Sequence, residues 1–106
     1  MADSLATYLL VSAALFGVGL IGVLLRRNLV AMLIGVELML SAVLINMVAF
    51  ARFTAPTADG QSAGLVFGLF IIGVAAAEAA VGLSIILAVH KARGSISVDD
   101  LEELRG

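Results

Sequence analysis

The sequence predicts an all-α membrane protein: three transmembrane helices, then a short amphipathic cytoplasmic helix at the C-terminus. Three observations carry this reading. Of 106 residues, 62% are hydrophobic and 13% charged, whereas a soluble domain is about half apolar and a quarter charged. The apolar residues fall into three runs, 5–25, 29–50 and 64–89, each long enough to cross a hydrocarbon core about 30 Å thick. The charges collect before, between and after those runs, with two exceptions, Glu37 and Glu78. The chain is read as a single membrane domain over 1–106.

The first run, about 21 residues, spans about 31 Å at helical rise. Asp3 and Ser4 precede it, and Arg26, Arg27 and Asn28 stop it. It lacks a basic leading segment and is too long for the core of a signal peptide, so a retained span is expected. Ser12 is the one strongly polar group in its interior, and Tyr8 lies near an end, where an interfacial ring is comfortable. Gly17, Gly19 and Gly22 would permit close packing but read as ordinary membrane-helix glycines. Only about three residues separate this run from the next, which forces an antiparallel hairpin.

The second run carries Glu37, with Leu33 one turn before it and Ser41 one turn after. The Ser41 hydroxyl could bond the carboxyl or its own helix backbone. Asn46 reads as an interhelical hydrogen bond rather than part of a proton path. Residues 52–62 read as the only long loop, holding the sole proline, Pro56, with Asp59 and Gly60 as a turn. No internal repeat is visible.

The third run places Glu78 near its middle among alanines. A charged side chain at such depth costs about 2.5–3.5 kcal/mol on insertion scales, so it calls for a reason. Ala75 lies one turn before Glu78 and Gly82 one turn after, so another helix can approach closely on that face. Glu37 is nine residues from Asn28, and Glu78 twelve from His90. At helical rise they lie roughly 13 and 18 Å deep, near the midplane and at comparable depth.

In the tail, Ser97 and Asp100 have the spacing of a capping box, with Ile96 and Leu101 at the staple positions around it. Val98, Leu101 and Leu104 fall on one stripe, while Asp99, Asp100, Glu102 and Glu103 face elsewhere. A short helix resting on a partner subunit or at the surface is expected, too acidic to favour anionic lipid by itself. Arg26, Arg27, Lys91 and Arg93 flank one side of the membrane, and Arg52 stands alone on the other. The positive-inside rule then puts the N-terminus outside and the tail in the cytoplasm. With no cysteine, the chain has no disulfide, thiolate metal site or thiol nucleophile. One histidine, His90, cannot by itself form a metal site and reads as a solvated or headgroup-level residue.

A low dielectric disfavours a bare carboxylate, so an acid in this position gains or loses its proton according to its neighbours. That is the behaviour a proton relay needs. The plain alternative is a neutral carboxyl holding two helices together by a hydrogen bond, and two acids at matched depth weigh against it. Arg26 and Arg27 read first as topology determinants, and second as residues tuning proton access from the cytoplasm. Few polar residues lie between the acids, and there is no nucleotide loop or redox ligand set. The chain must therefore work inside a larger assembly.

These features resemble the subunit K family of proton-pumping NADH:quinone oxidoreductase, respiratory complex I. The resemblance covers nearly the whole chain. It rests most specifically on Ala75-Ala76-Ala77-Glu78-Ala79-Ala80-Val81-Gly82-Leu83. The stretch from Asn28 through Gly35-Val36-Glu37 to Leu40, and Asp59-Gly60-Gln61, support it. The resemblance implies that Glu37 and Glu78 belong to a polar axis linking the quinone end to antiporter-like subunits, with Arg26 and Arg27 as the basic cytoplasmic loop. It also implies a bacterial cell (inner) membrane, and a complex carrying FMN, iron–sulfur clusters and quinone, none bound by this chain. The related small subunit of multisubunit sodium/proton antiporters shares the three-span plan, but the alanine block at Glu78 and the Asp59-Gly60-Gln61 stretch favour complex I. A small multidrug exporter would have four spans with its acid in the first. A purely structural assembly subunit is the remaining alternative.

Overall fold

A computed structural model describes residues 4–94 together with Ser97 and Val98. It contains α1 (Leu5–Leu25), α2 (Leu29–Thr54) and α3 (Ala58–Arg93). All three are long and apolar enough to cross a membrane.

Each helix begins on a polar cap. The Ser4 hydroxyl accepts the Thr7 N–H at 3.2 Å. The Asn28 amide oxygen accepts from Val30 and Ala31, at 2.8 and 3.2 Å, and so starts α2 two residues after Arg26 ends α1. Thr57 caps α3 by accepting the Gly60 N–H at 3.1 Å. Such caps satisfy backbone donors that the helix itself leaves free. At the far end of α3, Gly94 takes the left-handed conformation, φ 74°, that glycine adopts without penalty. His90, Lys91 and Arg93 stand in the last turn, where cations complement the helix dipole.

The expected long loop at 52–62 is corrected. Helix α2 continues to Thr54 and α3 starts at Ala58, so the connection is 55–57 alone. Hydropathy marks the hydrocarbon core, whereas a helix continues through headgroups until a breaker stops it. The breaker here is Pro56, which holds Ala55 extended (ψ 125°). Asp59 and Gly60 are no turn; they form the first turn of α3, where an acid suits the dipole. Gln61 donates from Nε2 to the Arg52 carbonyl at 3.4 Å, occupying one of the last carbonyls of α2. Helix α3, with 36 residues, is about 54 Å long at helical rise and sets the 56 Å length of the molecule.

Helix α2 is central and packs against α1 on one side and α3 on the other. Small residues at seven-residue spacing make both seams. On α2 the buried positions include Gly35, Ala42 and Ala49, and on α1 they are Ser12 and Gly19. Helix α3 contributes Gly68 and Gly82, which abut side chains of α2, with Ala75 between them. Small residues allow the close backbone approach that drives association in lipid, where apolar side chains gain nothing by leaving lipid for protein. Large apolar side chains such as Leu10, Leu25, Val66, Leu69 and Phe70 point outward.

Both seams come close, at different levels: α3 meets α2 tightly near Pro56, where a Cβ on Gly64 would run into that of Ala51, and at the level of the acids the two seams differ. A Cβ on Gly19 would lie 2.5 Å from the Gly35 carbonyl oxygen, and one on Gly35 would lie 2.6 Å from that of Gly19. The backbones of α1 and α2 therefore touch. A Cβ on Gly82 would meet the Leu33 Cδ1 at 2.9 Å, the end of a flexible side chain. Of the α1 glycines, Gly19 is thus a packing determinant, whereas Gly17 faces open space.

The expected amphipathic helix over 95–106 lies, apart from Ser97 and Val98, outside the described residues. Those two return to the α1–α2 connection: Ser97 bridges Asn28 in antiparallel fashion, and the Val98 N–H donates to the Arg27 carbonyl at 2.8 Å.

Candidate functional site: a half-buried carboxyl between α2 and α3

Glu37 sits two residues beyond Gly35. A 200° step about the helix turns its side chain away from α1 and toward α3. There it lines a cavity of about 250 Å³ with Leu40, Ser41 and Leu44 of α2 and Ile71, Ile72, Ala75 and Ala76 of α3. The alanines make this room, because a larger side chain at either position would enter it. Oε1 of Glu37 is buried and has no hydrogen-bond partner. A polar atom in that state is costly unless it is protonated or satisfied from outside the chain. The cavity could hold several waters, each taking about 30 Å³. Ser41 lines the same cavity, yet its hydroxyl donates to the Glu37 backbone carbonyl at 2.9 Å. Of the two partners open to it, the helix backbone is the one it takes.

Glu78 is placed differently. Leu33 of α2 abuts Gly82 of α3. One turn inward along each antiparallel helix brings the pair to Glu37 and Glu78, so the acids are level within the membrane. Their side chains do not converge: Glu78 is exposed on the outside of the chain, beside the seam that Ala75 and Gly82 occupy. It faces whatever surrounds this subunit.

Asn46 is the second polar centre and lies on the opposite face of α2. Its Oδ1 accepts from the buried Ser12 hydroxyl of α1, which also approaches the Leu9 carbonyl at 3.3 Å. It is an interhelical hydrogen bond, separate from the Glu37 cavity. Arg26 and Arg27 form the α1–α2 connection; Arg26 is the C-cap of α1, its N–H reaching the Gly22 carbonyl at 3.3 Å. Sequence reasoning did not single out Leu44, Ile71 or Ile72, which line the cavity. It also gave Gly35 no packing role, although its place seven residues before Ala42 and fourteen before Ala49 was a signal.

Among the described residues, no three His, Asp or Glu side chains gather in one place, and the sequence has no cysteine. The described residues therefore offer no ligand set for a metal ion or an iron–sulfur cluster.

The fold and site define a small multi-pass membrane protein built around an intramembrane acid. Residues 7–106 match the family of the NADH-ubiquinone/plastoquinone oxidoreductase chain 4L. The NADH-quinone oxidoreductase subunit K 1 of Syntrophobacter fumaroxidans is 50% identical over 98% of this chain and 99% of its own. The subunit K of Acidithiobacillus ferrooxidans is 50% identical over 97% of this chain and 94% of its own. That of Parvibaculum lavamentivorans is 48% identical over the full length of both. This chain belongs to the NADH-quinone oxidoreductase chain 4L/subunit K family.

Proposed function

We propose that, as a membrane subunit of NADH-quinone oxidoreductase, this chain supplies Glu37 and Glu78 to a proton relay coupling quinone reduction to proton pumping. The observation that carries the proposal is the Glu37 carboxyl, set in a cavity between α2 and α3 with a buried oxygen that no group of the described residues satisfies. A carboxyl serving only as a neutral bond to α3 would have a partner there. Glu78, level with it and exposed, is placed to exchange protons with an antiporter-like subunit or with a subunit of the quinone end. FMN, iron–sulfur clusters and quinone belong to other subunits of the complex, and no step here runs through them.

Gln keeps the size and hydrogen-bonding capacity of Glu but carries no titratable proton. The doubly substituted Glu37→Gln, Glu78→Gln complex should assemble with its flavin and clusters intact yet lose most proton pumping per NADH in proteoliposomes. An assembled double variant pumping at the wild-type ratio would falsify the relay.

For orientation in the bacterial cell (inner) membrane, the four-to-one excess of flanking Lys and Arg places the N-terminus outside and the C-terminus in the cytoplasm. A cysteine at Ser4 or Thr57 should react with an impermeant maleimide added to intact cells, and one at Ser95 only after lysis. Labelling of Ser95 in intact cells would reverse the topology.

A further inference from the structure

We propose that the furrow between α1 and α2, at the end holding Tyr8 and Arg52, is a binding site for a phospholipid with an anionic headgroup. The phosphate would sit on the Arg52 guanidinium, and an acyl chain would lie along Val48, Ile45 and Leu44. This goes beyond the relay and does not depend on it.

The furrow encloses about 340 Å³ and is polar at one end only. Arg52 stands in the last turn of α2, with its guanidinium carbon 5.0 Å from the centre of the Phe53 ring. That ring in turn lies 5.7 Å from the ring of Tyr8 on α1. Aromatic rings and a long cationic side chain at a helix end are the groups that reside at headgroup level. No carboxylate of the described residues pairs with Arg52. The guanidinium is thus left to an anion from outside the chain, and it is shaped to hold a phosphate through two hydrogen bonds.

From Arg52 the furrow descends two turns of α2 to Leu44, about 12 Å at helical rise. A cation grouped with aromatic rings at the outer end, and an aliphatic wall below them, follow the order of a phospholipid's own parts along the membrane normal. A neighbouring subunit's helix would need an acid placed opposite Arg52; a lipid supplies the charge and the chain together. Leu44 lies at the lower end and also lines the Glu37 cavity, so the acyl chain would pass one side chain from the cavity that holds that acid.

The test uses the whole complex reconstituted in nanodiscs containing photoreactive phosphatidylglycerol or photoreactive phosphatidylcholine, with crosslinked peptides mapped by mass spectrometry. Phosphatidylglycerol should label peptides carrying Tyr8 and Val48 several-fold more than phosphatidylcholine does. Arg52→Gln should abolish that preference, Arg52→Lys should keep most of it, and Ile45→Trp should reduce labelling by both lipids. The extent of assembly is measured alongside. Should Arg52→Gln fail to assemble, the headgroup preference in the wild type and in Arg52→Lys still decides. Equal labelling by the two lipids, an unchanged preference in Arg52→Gln, or crosslinking of these peptides to another subunit in place of lipid would overturn the proposal.

Discussion

The two faces of α2 both meet small residues of a neighbouring helix, yet they serve different ends. Toward α1, Gly35 meets Gly19 backbone to backbone, and the polar groups on that side, Ser12 and Asn46, satisfy each other. Toward α3, Gly82 meets the movable end of Leu33, and the alanines at 75 and 76 help leave a cavity that holds an acid with an unsatisfied oxygen. The first face is a closed clamp. The second keeps room and an unfulfilled polar group, the conditions under which a carboxyl can change its protonation state. Under the proposed relay, a helix hairpin fixed on one side would hold the acid on the other without swinging it through lipid.

Substitution at the clamp should break the molecule most severely. Gly35→Leu has no space to enter, because even a Cβ there lies 2.6 Å from the Gly19 carbonyl oxygen and 2.9 Å from Val23 Cγ2. Overpacking of this kind costs about 1–3 kcal/mol where side chains can give way, and here part of the obstacle is backbone. The subunit should be missing from the purified membrane complex. Recovery of Gly35→Leu at the wild-type level would mean that α1 and α2 do not cross there.

On the α3 face, substitution at Gly82, level with the clamp, should matter much less. In Gly82→Ala the new methyl meets only the end of Leu33, which another rotamer relieves. The substitution also gains about 1 kcal/mol of helix propensity. Assembly should be close to wild type, with the amount recovered in the complex within about a third, since opposing terms of about 1 kcal/mol nearly cancel. A loss of assembly as large as that of Gly35→Leu would erase the distinction between the two faces.

Much of this comparison was legible in the sequence, and the parts that were not share a cause. The three spans, the tight α1–α2 hairpin and the two acids at matched depth follow from hydropathy and from counting residues. The bond between Asn46 and another helix follows from the cost of leaving an amide unpaired in lipid. The helix ends around Pro56 were misjudged because hydropathy reports the solvent around a helix rather than its hydrogen bonding. Caps report the latter, and Thr57 before Asp59 was such a signal. Gly19 looked ordinary because periodicity gives the face a residue occupies but not the neighbour across from it. For the same reason, the different surroundings of Glu37 and Glu78 could not be read from two acids each flanked by small or apolar residues.

The most direct test of the central claim watches the Glu37 proton itself. Infrared difference spectra of the intact complex, recorded between resting and NADH-driven states, should contain a carbonyl band from a protonated carboxyl. That band should vanish in Glu37→Gln and persist in Ser41→Ala, whose hydroxyl bonds the backbone rather than the acid. A Glu37→Gln spectrum identical to wild type throughout the carboxyl region would contradict the account, because the acid in the cavity would then keep one protonation state through turnover.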